Sequence, residues 1–168
     1  FNLKIYIVSD ILFSIDTSRF SSILFSESGR NHTPDYYANL NLSSDERLLF
    51  QVMANPNLKT AVFNAGSVLM HKDELVAIAH VVVSGTVEII HPEGNYIVGP
   101  GAVIGLSEGL LGIKASCAVK AETAVNTRMI PIDAAVRGIS KANTGLKGIC
   151  RTTIARILHI REFPAALK

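Results

Sequence analysis

Residues 79–89, AHVVVSGTVEI, decide the fold of this chain. The run of valines around Val82 favours an extended backbone, because side chains branched at Cβ pack well on a pleated strand. Ser84 and Gly85 interrupt this run, and a second β-branched run begins at Thr86. The stretch therefore predicts two strands joined by a tight turn.

The same pattern continues on both sides of this stretch. Between residues 59 and 132, short β-branched runs alternate with turn signals rich in Gly, Pro and Asn, with no helical pattern between most of them. Runs of this length and spacing are typical of an antiparallel roll or sandwich. We expect an eight-stranded β-roll, so that the chain is mainly β with flanking α-helices. The predicted strand runs are residues 60–63, 68–70, 76–83, 86–90, 96–98, 118–121 and 127–132.

Helical patterns flank the roll. Ser43, with Glu46 three residues later, forms a capping box that predicts a helix over residues 44–54, which ends at Asn55 and Pro56. Apolar residues recur every three or four positions over residues 143–160 and predict a second helix that docks on the roll with one face. This stripe consists of Leu146, Ile149, Cys150, Thr153, Ile154, Ile157 and Leu158.

Composition narrows the class of protein. The chain has 168 residues, 48% of them hydrophobic, which is enough for one packed core. Its 16 Lys and Arg against 14 Asp and Glu leave a formal charge of +2, whereas nucleic acids and membrane surfaces attract clustered positive charge. Cys117 and Cys150 lack the spacing of a metal site and are too few for a disulfide framework, so we expect reduced thiols in the cytoplasm.

Three segments follow from the patterns. Residues 1–42 form an N-terminal segment of unassigned fold, residues 43–163 the roll with its docking helices, and residues 164–168 a tail. The apolar stretch at residues 3–13 is interrupted by Lys4 and Asp10, so we expect no membrane insertion. A chain that begins at Phe1 rather than Met is expected to be a fragment.

The order of these elements resembles the cyclic-nucleotide-binding domain, and within that family the bacterial catabolite-activator-like regulators. The resemblance covers residues 48–160. It rests on Ala65-Gly66, on the stretch at residues 79–89, and on Gly99-Pro100-Gly101 followed by the Ile104-Gly105 pair. Each glycine marks a turn that needs positive φ or a close backbone approach. The resemblance implies a double-stranded β-helix, or jelly roll.

The resemblance also implies a ligand site, the phosphate-binding cassette, over residues 105–119. In the family, a Glu after the cassette Gly holds the ribose, and an Arg holds the cyclic phosphate. Here Leu106 stands at the position of that Glu and Ala115 at the position of that Arg, while Glu108 and Lys114 lie nearby as substitutes. We expect a degenerate site that binds a cyclic nucleotide or other small anionic ligand, with no resident cofactor. Its candidate residues are Gly105, Leu106, Ser107, Glu108, Lys114, Ala115 and Ser116.

Other candidate sites are weaker. The histidines His71, His80 and His91 lie more than eight residues apart, without a neighbouring carboxylate in the spacing of a metal site, so we interpret them as ordinary strand or loop residues. Cys117 lies in the cassette loop, and we expect it to be a buried inert thiol rather than a redox sensor. Ser107 has no nucleophile elbow or spaced His partner, so we expect no enzyme.

The sequence thus predicts a non-catalytic regulatory or sensory module of cytoplasmic signal transduction, with weak or altered ligand binding. The alternative is a ligand-free protein-interaction or structural module, with a protein partner or a second copy of the chain in a larger assembly. Catabolite-activator-like transcription factors continue past the roll into a DNA-reading helix. The final residues 161–168 are too few for one, so we expect no DNA binding by this fragment.

Overall fold

The computed structural model describes residues 11–18, 42–159, 163 and 165. Within these residues, nine strands and four helices form. The strands are β1 (Ile11–Phe13), β2 (Thr60–Phe63), β3 (Val68–Met70), β4 (Ile78–Ser84), β5 (Val87–Ile90), β6 (Tyr96–Val98), β7 (Val103–Ile104), β8 (Ala118–Ala121) and β9 (Val125–Pro131). The helices are α1 (Ser44–Ala54), α2 (Leu106–Leu111), α3 (Ile132–Ser140) and α4 (Thr144–Leu158).

The strands form two sheets. One sheet has five strands in the order β1-β6-β5-β8-β3, and the other has four in the order β2-β9-β4-β7. All pairings are antiparallel except that of β1 with β6. The predicted fold class, mainly β with flanking helices, is therefore confirmed.

The stretch at residues 79–89 connects the two sheets. Its first run lies in β4 of the four-stranded sheet and its second in β5 of the five-stranded sheet. Gly85 turns between them with φ of 82°. Val82 and Val87, on either side of this turn, are both 0% exposed and belong to the main core. The tight turn therefore places two β-branched runs face to face across that core.

Helix α1 closes one side of the roll. The predicted capping box is present: the Ser43 hydroxyl accepts from the Glu46 backbone N–H at 3.2 Å, and a Glu46 carboxyl oxygen accepts from the Ser43 N–H at 2.7 Å. Leu49 and Phe50 are buried and pack with Leu42 and Val81. Capping thus fixes where the helix begins, and apolar packing fixes which side faces β4.

Three elements, β7, β9 and α3, differ from the prediction. The strand run expected to continue to residue 132 ends at Pro131, and helix α3 begins at Ile132. Pro131 has no N–H to donate to a neighbouring strand. The Ile132 N–H donates to the Ala77 carbonyl at 3.0 Å, and the pairing of β9 with β4 ends at this hydrogen bond. Strand β7, only two residues long, was also not predicted.

Part of the N-terminal segment joins the roll. Strand β1 pairs with β6, the Phe13 carbonyl accepts from the Gly99 N–H at 2.7 Å, and the Ile15 N–H donates to the Pro100 carbonyl at 2.9 Å. The residues of this segment that the structure describes therefore add a ninth strand. The predicted tail at residues 164–168 lies outside the described residues except for Ala165. No helix in the described ranges is both long and apolar enough to cross a bilayer.

Candidate functional site

A cavity of about 180 Å³ lies between the five-stranded sheet, α2 and the carboxyl end of α4. Its walls combine apolar side chains with polar groups from the cassette, from the turn after β5 and from β6. The apolar lining comes from Met70, Ile89, Val103, Ile104, Val119, Ile157 and Leu158. The other lining residues are His91, Tyr96, Gly105, Ser107, Glu108, Ser116 and Cys117.

Gly105 positions α2 against this cavity. Its φ is 76°, in the left-handed region that favours glycine. A Cβ at this position would lie 2.9 Å from Val76 Cγ1 and 3.2 Å from Met70 Sδ, so space as well as dihedral angle selects glycine. The turn places Ser107 and Glu108, in the first turn of α2, beside the cavity.

Glu108 places a carboxyl group in the cavity wall. The residue is 7% exposed, and its Oε1 accepts a hydrogen bond of 3.0 Å from the Ser116 hydroxyl. Ser116 lies in the loop between α2 and β8. This hydrogen bond therefore ties the helix of the cassette to the loop that follows it.

Tyr96 and Cys117 stand near this carboxyl group. Burial raises the pKa of the Cys117 thiol, and the negative charge of Glu108 raises it further. A hydrogen bond between Ser116 and the thiol and the positive charge of Lys72 lower this pKa by smaller amounts. Burial also raises the pKa of Tyr96, with smaller contributions from Cys117 and Glu108. At neutral pH, the Tyr96 hydroxyl and the Cys117 thiol are therefore both in their neutral, protonated forms. Cys117 is buried, as predicted.

The structure brings together four of the seven candidate residues. Gly105, Ser107, Glu108 and Ser116 line the cavity. The other three candidates are Leu106, Lys114 and Ala115, and none of them is among its lining residues.

Leu106 and Ala115 lie outside the cavity lining, each in a different environment. Leu106 packs against the cluster of Leu110 and Ile154 between α2 and α4. Ala115 is 1% exposed, and its backbone N–H donates to the Glu74 carbonyl at 2.8 Å. These are the two positions that the resemblance aligns with the ribose-binding Glu and the phosphate-binding Arg.

Lys114 is exposed and forms an isolated β-bridge with Leu75. The Asp73 N–H donates to the Ala115 carbonyl at 3.0 Å, so the segment before β4 holds both Lys114 and Ala115. Asp73 itself has φ of 66°, in the left-handed region of the backbone. The role of each candidate residue in binding stays a prediction.

Four further residues line the cavity but were not predicted as site residues: His91, Tyr96, Ile157 and Leu158. Ile157 and Leu158 belong to the apolar stripe of α4, and their spacing predicted docking on the roll but not the cavity that the docked helix covers. Tyr96 and His91 flank the turn between β5 and β6, and only the sheet pairing brings them near α2.

A second groove of about 310 Å³ adjoins the cavity. It lies among α2, α3 and α4 and is lined mainly by apolar side chains, including Leu106, Leu110, Ile139 and Ile149. Val103, Ser107 and Ile157 line both spaces, so β7, α2 and α4 each contribute a residue to the wall that the two spaces share.

The histidines are dispersed. His80 is buried, its Nδ1 lies 2.9 Å from the Thr127 hydroxyl, and its ring meets Phe63 edge-on at a centroid distance of 5.5 Å. His71 is exposed, and His91 Nδ1 accepts from the Glu93 N–H at 3.2 Å. Within the described ranges, no three His, Cys, Asp or Glu side chains are grouped so that they could hold a metal ion.

Comparisons with known proteins identify the fold. No family model and no curated protein matches the chain. An EAL enzyme, Bd1971, solved with cyclic AMP and cyclic-di-GMP bound, is 15% identical over 60% of this chain, with a TM-score of 0.55. The match spans only 28% of that enzyme.

Two further solved structures are similar. One, from a study of a cyclic-GMP-dependent signalling pathway that regulates bacterial phytopathogenesis, is 18% identical over 72% of this chain and 98% of its own, with a TM-score of 0.54. The other, a cyclic nucleotide-binding-like protein from Brucella abortus bv. 1 str. 9-941, is 22% identical over 54% of this chain and 82% of its own, with a TM-score of 0.44. The chain has the fold of cyclic-nucleotide-binding proteins.

Proposed function

We propose that this chain is a non-catalytic regulatory or sensory module of cytoplasmic signal transduction, in which a small molecule in the cavity changes the position of α4. The observation that carries the proposal is the double wall of the cavity. Sheet residues such as Ile89 form one side, and Ile157 and Leu158 of α4 form the other. A molecule between them contacts the roll and α4 at once, so its binding energy depends on where α4 lies.

The packing of α4 suits this role. Among the described residues of α4, Thr144–Leu158, only Ile154 is buried. Ile157 lines the cavity but is 58% exposed. A helix that buries so little apolar area is held by a small free energy, and elements of low local stability are those that move on ligand binding. We infer that an occupied cavity shifts the equilibrium of α4.

The sequence predicts a cyclic nucleotide or other small anion as the ligand. The fold supports this ligand class, but the charge of the cavity lining does not. Among the described lining residues there is a carboxyl group on Glu108 but no Lys or Arg, and a phosphate would lie against that carboxyl group without a charged partner. We therefore propose that a cyclic nucleotide binds weakly.

Thermal denaturation with cyclic AMP, cyclic GMP and adenosine tests this proposal. A ligand at ten times its dissociation constant adds about 1.4 kcal/mol to the unfolding free energy, since the gain is RT ln(1 + [L]/Kd). We expect a small stabilisation by the cyclic nucleotides at millimolar concentration. Ser107→Tyr, which fills the cavity, should abolish it, whereas Thr152→Tyr on the exposed side of α4 should not. No stabilisation of the parent by either nucleotide would remove the cyclic-nucleotide version.

A second candidate function is a ligand-free interaction module, as part of a larger assembly or as a homo-oligomer. The supporting observation is the apolar surface of α4, where Ile149 is 65% exposed and Leu146 is 48% exposed. Sedimentation of the parent, of Ile149→Lys and of Thr152→Lys distinguishes a homo-oligomer from a monomer. Self-association that is lost only in Ile149→Lys supports this candidate. A parent that sediments as a monomer at all concentrations contradicts the homo-oligomer.

A further inference from the structure

The carboxyl group of Glu108 has no cationic partner among the described residues. It is held in a residue only 7% exposed, accepts one hydrogen bond from Ser116, and forms no salt bridge. Moving a carboxylate out of water costs several kcal/mol unless a counter-charge or a full set of hydrogen bonds compensates. A buried carboxylate that faces a cavity therefore favours a cation inside that cavity.

The nearby groups do not supply that cation. Tyr96 and Cys117 are neutral when protonated, and the charge of Glu108 helps to keep them so. Lys72 is exposed and does not line the cavity. His91 lines the cavity, and its Nδ1 is used as an acceptor by the Glu93 N–H.

Half of the lining residues are apolar, and they favour a ligand with an apolar body beside its polar group. Met70, Ile89, Val119 and Leu158 supply side chains with no charge and no N–H or O–H donor. The volume of about 180 Å³ lies below the roughly 300–1,000 Å³ that is usual for pockets of drug-sized ligands. The space suits a molecule the size of one aromatic ring with a short substituent.

We propose that the cavity binds a small apolar molecule with a protonated amine or amidine, whose N–H groups donate to the carboxyl group of Glu108. This inference rests on the proposed function, because it names the ligand class of the same cavity. It reverses the charge preference of a phosphate-binding cassette. The reversal follows from an acidic side chain in the wall and from the absence of Lys and Arg among the described lining residues.

Three probes of one shape test the charge preference on the full chain: benzylamine, benzyl alcohol and benzoate, each titrated by amide chemical shifts. A hydrogen bond to a charged group contributes about 1.5–3 kcal/mol, or at least tenfold in affinity. We expect benzylamine to bind at least tenfold more tightly than benzyl alcohol, and benzoate to bind more weakly than either.

Glu108→Gln keeps the shape of the side chain and an acceptor for Ser116 but removes the charge. It should lower benzylamine affinity to the level of benzyl alcohol. The control, Glu88→Gln, removes the carboxyl group of a half-buried residue that is hydrogen-bonded to Asn95 and does not line the cavity, and it should leave the affinity unchanged. If Glu108→Gln does not fold, the ratio of benzylamine to benzyl alcohol affinity in the parent still decides the matter.

The two proposals fail in different ways. Benzyl alcohol, benzoate or a cyclic nucleotide that binds in the cavity as tightly as benzylamine overturns the cation preference and leaves the regulatory ligand site standing. Equal benzylamine affinity in the parent and in folded Glu108→Gln also overturns it. If neither the three probes nor the cyclic nucleotides bind at millimolar concentration, the ligand-binding function fails together with this inference.

Discussion

The hydroxyl of Ser116 donates a hydrogen bond of 3.0 Å to the carboxyl group of Glu108, and no salt bridge to that carboxyl group is found in the described part of the chain. Because one hydroxyl compensates only part of the cost of a charge in a residue that is 7% exposed, we expect this carboxyl group to lower the stability of the fold. We expect Glu108→Gln to raise the unfolding free energy by about 1 kcal/mol without ligand. Urea denaturation measures this change, and Glu88→Gln should stay within about 0.5 kcal/mol of the parent. A less stable Glu108→Gln would show that the charge is already compensated.

The thiol of Cys117 reports the same charge. Glu108 raises the pKa of Cys117 after burial does, so Glu108→Gln should lower that pKa and increase the thiolate fraction at pH 8. In a Cys150→Ser background, which leaves one cysteine, we expect slow alkylation of the parent by iodoacetamide and faster alkylation of the Glu108→Gln variant. The Glu88→Gln variant in that background should react at the parental rate. An unchanged rate in Glu108→Gln would place its charge out of reach of the thiol.

His80 makes stability depend on pH. Burial lowers its pKa, so the unfolded chain binds a proton at His80 more readily than the folded chain does. The stabilising effect is therefore present above the unfolded pKa of about 6.5 and is lost as the pH falls below it. For one proton the slope is at most about 1.4 kcal/mol per pH unit.

Urea denaturation between pH 7.5 and pH 5 checks this dependence. His80→Gln, which is neutral and offers an amide to Thr127, should flatten the profile. His71→Gln, at an exposed histidine, should leave it unchanged. Parallel profiles for the parent and His80→Gln would mean that His80 titrates alike in both states.

Gly85 and Gly148 predict opposite effects of the same substitution. At Gly85, with φ of 82°, a Cβ would lie 2.1 Å from the Ala124 carbonyl oxygen. We expect Gly85→Ala to cost about 2–4 kcal/mol from dihedral strain and steric overlap. Gly148 lies within α4, and an added Cβ would meet no atom within 4 Å apart from its chain neighbours and the backbone of its own helix, so Gly148→Ala should stabilise by up to about 1 kcal/mol. Thermal denaturation of both variants tests the contrast, and a tolerated Gly85→Ala contradicts the turn geometry.

Arg128 holds the end of α1 to the four-stranded sheet. Its guanidinium donates to the Leu58 carbonyl at 3.3 Å, to the Met53 carbonyl and to the Thr60 hydroxyl. Removing it leaves these acceptors without that donor, so we expect Arg128→Met to cost about 2 kcal/mol. Arg128→Lys should recover only part of this loss, because an ammonium lacks the planar fork.

Arg137→Met is the control for the loss of an arginine. It breaks a solvent-exposed pair with Asp133 and should change stability far less. Chemical denaturation separates the two outcomes. Equal effects of Arg128→Met and Arg137→Met would contradict the structural role of Arg128.

Local signals predicted most of the fold. The capping box at Ser43 gave the start of α1, the apolar stripe gave α4, and β-branched runs between glycine turns gave the strands. The structure confirms these, with positive φ at Gly66, Gly85, Gly101 and Gly105. These features depend on neighbours in sequence, which a sequence pattern records directly.

Long-range contacts account for what was not predicted. Strand β1 exists because it pairs with β6, more than eighty residues away in the chain. Helix α3 follows β9 directly, with no polar residue between Met129 and Ile132. The sequence pattern therefore does not show where the strand ends and the helix begins. Strand β7 has only two residues, too few to show the alternation of apolar and polar residues that predicts a strand.

In the candidate site too, local features were predicted and features set by long-range contacts were not. The Gly105 turn was predicted from its place in the glycine pattern. Lys114 and Ala115 stand away from the cavity because the backbone of Asp73 and Glu74 hydrogen-bonds the loop that carries them. No local pattern predicts that pairing, or the cover that Leu158 provides over the cavity.

The central claim, that one small molecule contacts the roll and α4 together, is tested most directly by intermolecular NOEs between the ring protons of benzylamine and labelled isoleucine methyl groups. We predict NOEs to Ile89 and Ile104 from the roll and to Ile157 from α4 in the same complex. The control is Ile78, which is 38% exposed and does not line the cavity, and it should show none. NOEs to Ile78, or NOEs to Ile89 and Ile104 without Ile157, would contradict the claim.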